Sequence, residues 1–178
     1  MRIEQLSQEF DLRLRWTVFP LHPETPQEGR KLSDLFAGRM DVPQIMAGLK
    51  DLAGTLGLAF ATRTHTYNSR RAQELGKWAE LQGQGDAFRA AIYAAYFAKG
   101  RNIADFDELT AICDTLDLSA QEARYILEEG LFSAAVDNDW NRARTIEVSS
   151  VPTHFYKNRR LVGFQDYSAF QQLVSADT

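Results

Sequence analysis

The side chains that most often run covalent or proton-transfer chemistry are sparse here: one cysteine and three histidines among 178 residues. A lone Cys113 excludes an internal disulfide and any cysteine-rich metal cage, since both need more than one thiolate. Its spacing from Leu109 and Leu116 puts it on the apolar stripe of an amphipathic helix, where a thiol serves as a small hydrophobe. His22, His65 and His154 stand far apart and lack the close ligand spacing of a metal site, so no metal is expected. No Gly-rich phosphate loop and no Gly-x-Ser-x-Gly elbow occurs, which leaves nucleotide hydrolysis and serine-hydrolase chemistry without support. Two other features need a place. Val151-Pro152-Thr153 holds an X-Pro bond, whose cis form costs little and turns the preceding residue's backbone groups outward; a tight strand entry would use the same tripeptide. Tyr93, Tyr96 and Phe97 have the helical spacing of core, and would also suit the wall of an apolar groove.

The elements that must position these residues are legible from periodicity. Ile3, Leu6 and Phe10 have helical spacing, after which Leu12, Leu14, Trp16 and Val18 alternate with Arg13, Arg15 and Thr17 as in a strand. Pro20, Pro23 and Pro26 then impose a stiff loop. From about Gln27 to about Arg144 almost every segment reads as helix, with start signals at Asp41, Asp105 and Ser119, the last two followed three residues on by a glutamate. Apolar stripes run along Phe88, Ala91, Ile92 and Ala95, and along Phe106, Leu109, Ile112, Cys113 and Leu116. Period two returns at Ile146 to Val148 and again at His154 to Tyr156. Lys157-Asn158-Arg159 supplies a turn with Asn158 suited to a left-handed conformation, and Leu161 to Phe164 forms the other arm of a hairpin. A last helix runs from Tyr167 to about Ala176, offering Phe170, Leu173 and Val174 to the sheet.

The formal net charge of -4, with hydrophobic residues at 44% and charged ones at 25%, fits a soluble globular chain able to bury a core. It leaves no broad basic surface for a phosphate backbone, so nucleic acid is not an expected partner. No apolar run approaches the ~20 residues needed to span a bilayer, and Met1 to Asp11 carries too many charges for a secretory signal. The single cysteine fits a reducing, cytoplasmic location.

A helix and strand, a helical insertion, a proline-bearing strand, a hairpin and a closing helix form the layout of the DsbA-like thioredoxin-fold family. Several segments carry the likeness. Trp16 to Gly29 resembles that family's second core strand and following loop, and Tyr93 to Ile103 is similar to a motif of its helical insertion. Val136 to Thr153 resembles the run into its cis-proline loop, and Gly163 to Tyr167 resembles the approach to its last helix. The chain looks most like the FrnE-like branch, near 2-hydroxychromene-2-carboxylate isomerases and kappa-class glutathione transferases. This implies an α/β thioredoxin-like core from residues 1–26 and 145–178, with residues 27–144 as an inserted all-helical domain. In the family, Glu147 and Ser150 stand where glycines tend to occur.

The resemblance also implies a thiol-disulfide oxidoreductase ancestry, yet the family's first core strand and its Cys-x-x-Cys have no counterpart here. Thiol-disulfide exchange needs an attacking thiolate and a resolving thiol, and this sequence encodes neither. By resemblance, Val151, Pro152 and Thr153 would pair with an extended peptide or protein thiol substrate, and His22 would face it from a neighbouring loop. Three readings follow. The chain is a truncated form of an oxidoreductase whose strand and cysteine pair lie upstream; or a non-catalytic peptide-binding or scaffolding protein, as a homodimer if strands are exchanged; or a glutathione-dependent isomerase or transferase, with glutathione as its cofactor.

Overall fold

A computed structural model describes residues 2–175; the expected end of the last helix, near Ala176, lies outside them. Two compact units are formed, His22–Asp137 and the pair Met1–Leu21 with Asn138–Thr178. Among the described residues no helix is long and apolar enough to cross a membrane.

The unit His22–Asp137 is mainly helical. It contains α2 (Leu32–Phe36), α3 (Val42–Thr55), α4 (Arg70–Leu81), α5 (Gly85–Tyr93), a π-helical turn at Ala94–Ala98, α6 (Phe106–Asp114), α7 (Ala120–Glu129) and the first residues of α8 (Ser133–Thr145). Three of these helices begin where a side chain can satisfy an orphan N–H. Asp41 accepts from Gln44 N–H at 3.0 Å, Asp105 from Glu108 N–H at 2.9 Å, and Ser119 from Glu122 N–H at 3.1 Å. The stripes expected on α5 and α6 meet α4 and α7 in one core, where Leu75, Phe88, Leu109, Cys113, Ala123 and Ile126 are buried together. Beside it an ionic cluster centred on the buried Glu74 holds α4 to the start of α8. Glu74 accepts from Arg70 Nε at 2.7 Å and from Ser133 Oγ at 2.8 Å, while Arg70 also reaches Asp137 at 2.6 Å and the Ser133 carbonyl at 2.9 Å.

This unit is not helical throughout. β1 (Arg30–Lys31) pairs antiparallel with β2 (His65–Thr66), and Leu32 N–H extends the pairing to the Thr64 carbonyl at 2.8 Å. Gly29 makes the ladder feasible: its φ is +95°, and a Cβ there would stand 2.9 Å from the Thr66 carbonyl oxygen and 2.6 Å from the Tyr67 ring. Only glycine accepts both conditions.

The other unit comprises α1 (Arg2–Glu9), the remainder of α8, and the hairpin of β3 (Thr153–Tyr156) with β4 (Arg159–Val162), closed by α9 (Tyr167–Ser175). Leu6, Phe170 and Val174 form its buried centre, with Ile3, Phe10, Leu12, Tyr156 and Leu161 packed around them.

Three expectations for this unit need correction. Leu12 to Val18 forms no ladder among the described residues; the ribbon near Trp16 and the segment at Pro152 share a unit but not a sheet. An alternating pattern becomes a strand only when another strand supplies hydrogen-bond partners, and here Val18 N–H is instead held by the Asp139 carboxylate at 3.0 Å. Leu14 and Trp16 accordingly stay 39% and 38% exposed. Ile146 to Val148 closes the C-terminus of α8 rather than forming a strand. Glu147 N–H donates to the Arg144 carbonyl at 3.0 Å and Val148 N–H to Ala143 at 2.9 Å, with Glu147 left-handed at φ 55°. That bond pair is the Schellman closure of a helix. In the hairpin turn the residue with positive φ is Lys157, at φ 54°, and not Asn158; the favoured two-residue hairpin turns all need a positive φ at their first loop position.

Candidate functional site

The hairpin register determines what the segment at Pro152 presents. Thr153 faces Val162, His154 faces Leu161, Phe155 faces Arg160 and Tyr156 faces Arg159. The ladder continues one step past β3, where Gly163 N–H donates to the Pro152 carbonyl at 2.8 Å. Hydrogen-bonded pairs alternate along an antiparallel ladder, so Pro152, His154 and Tyr156 point their backbone groups at β4. Thr153 and Phe155 point theirs away, and no backbone partner meets them among the described residues.

Side chains alternate with the same period. His154 and Tyr156 turn inward, where the His154 ring meets Phe170 edge-on at 4.9 Å and Arg159 donates to the Leu173 carbonyl at 2.9 Å. Burial pushes the His154 imidazole below its usual pKa. The opposite face is open: Phe155 is 43% and Val162 42% exposed, and Val151, just ahead of Pro152 in the chain, is 47% exposed.

The Val151–Pro152 peptide bond is cis. Ser150, just before it, accepts from Thr153 Oγ1 at 2.7 Å through its carbonyl, which closes a compact loop. Between this loop, the end of α8 and the open face of the hairpin lies a shallow cleft of about 230 Å³, lined by Glu147, Val148, Ser149, Ser150, Thr153, Arg160 and Val162. The cleft thus combines hydroxyls, one carboxylate, one guanidinium and an apolar wall beside a strand edge. It contains no thiol. Of Val151, Pro152 and Thr153, which the sequence singled out, Thr153 lines this cleft and the other two lead into it; Ser149 and Arg160 were missed, because they enter only through the turn and the cross-strand pairing of Arg160 with Phe155.

His22 belongs to the other unit. Its Nδ1 is 3.7 Å from the Glu24 carboxylate, which Arg30 also approaches at 3.9 Å. Its surroundings are a second, larger groove of about 440 Å³.

Cys113 is buried in the helical core, and burial pushes its thiol up to about 12. A thiol in that state is not ionised near neutrality, and only the thiolate attacks a disulfide. Among the described residues no three His, Cys, Asp or Glu side chains are gathered so as to hold a metal ion.

Comparison with known proteins gives this geometry a setting. A crystal structure of a probable DsbA oxidoreductase from Streptomyces coelicolor superposes with a TM-score of 0.86 at 23% identity, covering 98% of this chain and 80% of that one. A 2-hydroxychromene-2-carboxylate isomerase superposes with a TM-score of 0.69 at 20% identity, covering 98% and 84%. At such identities the likeness establishes the fold, a mixed α/β thioredoxin-like one with a large helical insertion. No curated protein matches the chain. The family model of the DSBA-like thioredoxin domain, however, matches residues 1–175, and with that match the chain belongs to the DSBA-like thioredoxin family, as a member with a single, buried cysteine.

Proposed function

We propose that these residues act as a non-catalytic, peptide-binding member of the family, receiving an extended segment along the outer edge of β3. Dithiol exchange is outside their reach, because the one thiol has no partner and is buried in un-ionised form. Strand addition asks for nothing that is missing. It needs backbone donors and acceptors in extended geometry and side-chain pockets at alternate positions.

The observation that carries the reading is the orientation of Thr153 and Phe155, whose backbone groups face away from β4 next to the exposed Val151. The cleft at Ser149, Ser150 and Arg160 would take one polar side chain of the incoming segment.

Amide hydrogen exchange tests this residue by residue. In the free protein the Thr153 and Phe155 amides exchange faster than that of His154, which faces β4. Adding a saturating extended peptide with alternating apolar residues slows Thr153 and Phe155 by about tenfold or more. The exposed Val151, changed to Asp, weakens the same peptide without lowering stability. Binding that leaves the two amides unprotected, or protection that grows with protein concentration in the absence of peptide, overturns the assignment; the latter would mean that a second copy occupies the edge.

A further inference from the structure

The groove at His22 has a chemistry of its own. Its polar side is formed by His22, Glu24, Arg30 and Arg39, and its apolar side by Leu35, Phe36 and Met40. In a chain of net charge -4 this is a local excess of positive charge. Arg30 meets Glu24 only at 3.9 Å, and Arg39 has no carboxylate partner among the described residues. The neighbouring acids are engaged elsewhere: Asp34 accepts from Ser33 Oγ at 3.1 Å, and Asp41 caps α3 through Gln44 N–H. A tight turn brings the backbone of Arg39 to the groove. Ala37 and Gly38 are both left-handed, at φ 44° and 71°, and Arg39 N–H folds back to the Phe36 carbonyl at 2.8 Å. Arg39 thus lines the groove together with the half-buried Phe36 and the exposed Met40.

From this we infer that the groove captures the free C-terminus of a peptide whose last side chain is apolar. The carboxylate would lie on Arg39 and Arg30, a charge-assisted contact that guanidinium forks make bidentately. The terminal side chain would lie on Leu35, Phe36 and Met40. A volume of about 440 Å³ accommodates two or three residues, and an open groove lets the rest of a chain leave into solvent, where a free small acid would be poorly enclosed. Glu24 competes for the same cations from within the groove. The site shares no residue with the β3 edge, so either assignment can fail without the other.

Titration of the full chain with Ala-Leu-Phe as free acid, followed by amide chemical shifts, tests the inference. Shifts centred on residues 35–40 are expected, with Kd on the order of 0.1–1 mM. The C-terminal amide of the same peptide binds about tenfold more weakly. Arg39→Gln breaks no ion pair, leaves the melting temperature unchanged and weakens the acid about tenfold, while Glu24→Gln tightens it severalfold. The inference is overturned if acid and amide bind alike, if Arg39→Gln has no effect, or if nothing binds up to about 5 mM. It is equally overturned if 4-phenylbutyrate binds as tightly as the peptide, which would assign the groove to small acids.

Discussion

The substitution Glu147→Gly isolates one backbone angle ahead of the cis-proline loop. Glu147 occupies the left-handed position that closes α8, at φ 55°, with its N–H on the Arg144 carbonyl and the next N–H on Ala143. An L-residue with a Cβ pays about 1–2 kcal/mol in that conformation, and glycine is free of the clash. Against this, glycine loses roughly 0.5–1 kcal/mol more conformational entropy on folding. At the midpoints of these ranges the difference is a stabilisation of about 0.75 kcal/mol, which for a chain of this length corresponds to a rise in Tm of about 1.5–3 °C. Glu147→Ala is the control. The carboxylate is exposed and makes no ion pair with any described residue, so its loss alone should change stability by less than about 0.5 kcal/mol. Urea denaturation of the three proteins, followed by far-ultraviolet circular dichroism, measures both differences. If the alanine variant gains as much as the glycine variant, the carboxylate and not the angle is responsible, and the reasoning fails. It fails equally if glycine lowers stability.

Other expectations rest on separate parts of the structure. Gly29→Ala should cost at least about 2 kcal/mol, because the added methyl would face the Thr66 carbonyl oxygen at 2.9 Å at a φ of +95°; thermal unfolding would show the loss, whereas Gly38→Ala, with open space around it, should lose less. Glu74→Ala should destabilise by about 2–3 kcal/mol, since Arg70 and Ser133 lose a buried acceptor; a double-mutant cycle with Ser133→Ala should show a coupling above about 0.5 kcal/mol. His154 gives a pH signature. Its folded pKa is depressed by burial, so the unfolded chain binds the proton first, and the stability contributed by this group is complete above about pH 6.5 and lost as pH falls toward the folded value, by at most about 1.4 kcal/mol per pH unit. Urea midpoints of the wild type and His154→Phe, compared from about pH 8 to pH 5, should diverge in that window and in that direction.

What could be read from the sequence divides by the range of the interaction responsible. The caps at Asp41, Asp105 and Ser119 were legible because donor and acceptor lie three residues apart. The stripes through Phe88 and Leu109 were legible because a helix repeats its own neighbours. The ribbon from Leu12 to Val18 was misread for the opposite reason: alternation records the faces of a strand, but its partner is a separate segment that the pattern does not contain. The ladder of Arg30 with Thr66 was missed although Thr62, Thr64 and Thr66 alternate, since two residues on each side make a weak signal. Val151 to Thr153 stood out through Pro152. Arg160 did not, because its place in the cleft follows from its pairing with Phe155, and that depends on which two residues form the turn.

The same register bears on why an open edge at Thr153 and Phe155 is tolerable. A strand with free backbone groups is a template for aggregation unless it is short, interrupted or charged. β3 has four residues and follows a proline, which carries no N–H to extend a ladder. Its turn bears Lys157, and Arg159 and Arg160 follow at once; Arg160 projects on the open face directly across from Phe155. A second copy approaching that face brings the same guanidinium against its own, whereas a segment with an acidic or hydroxylated side chain at that register meets a complementary charge. The features that discourage self-association are therefore the ones that leave the edge usable for a different chain, and they owe nothing to the chemistry of a cysteine.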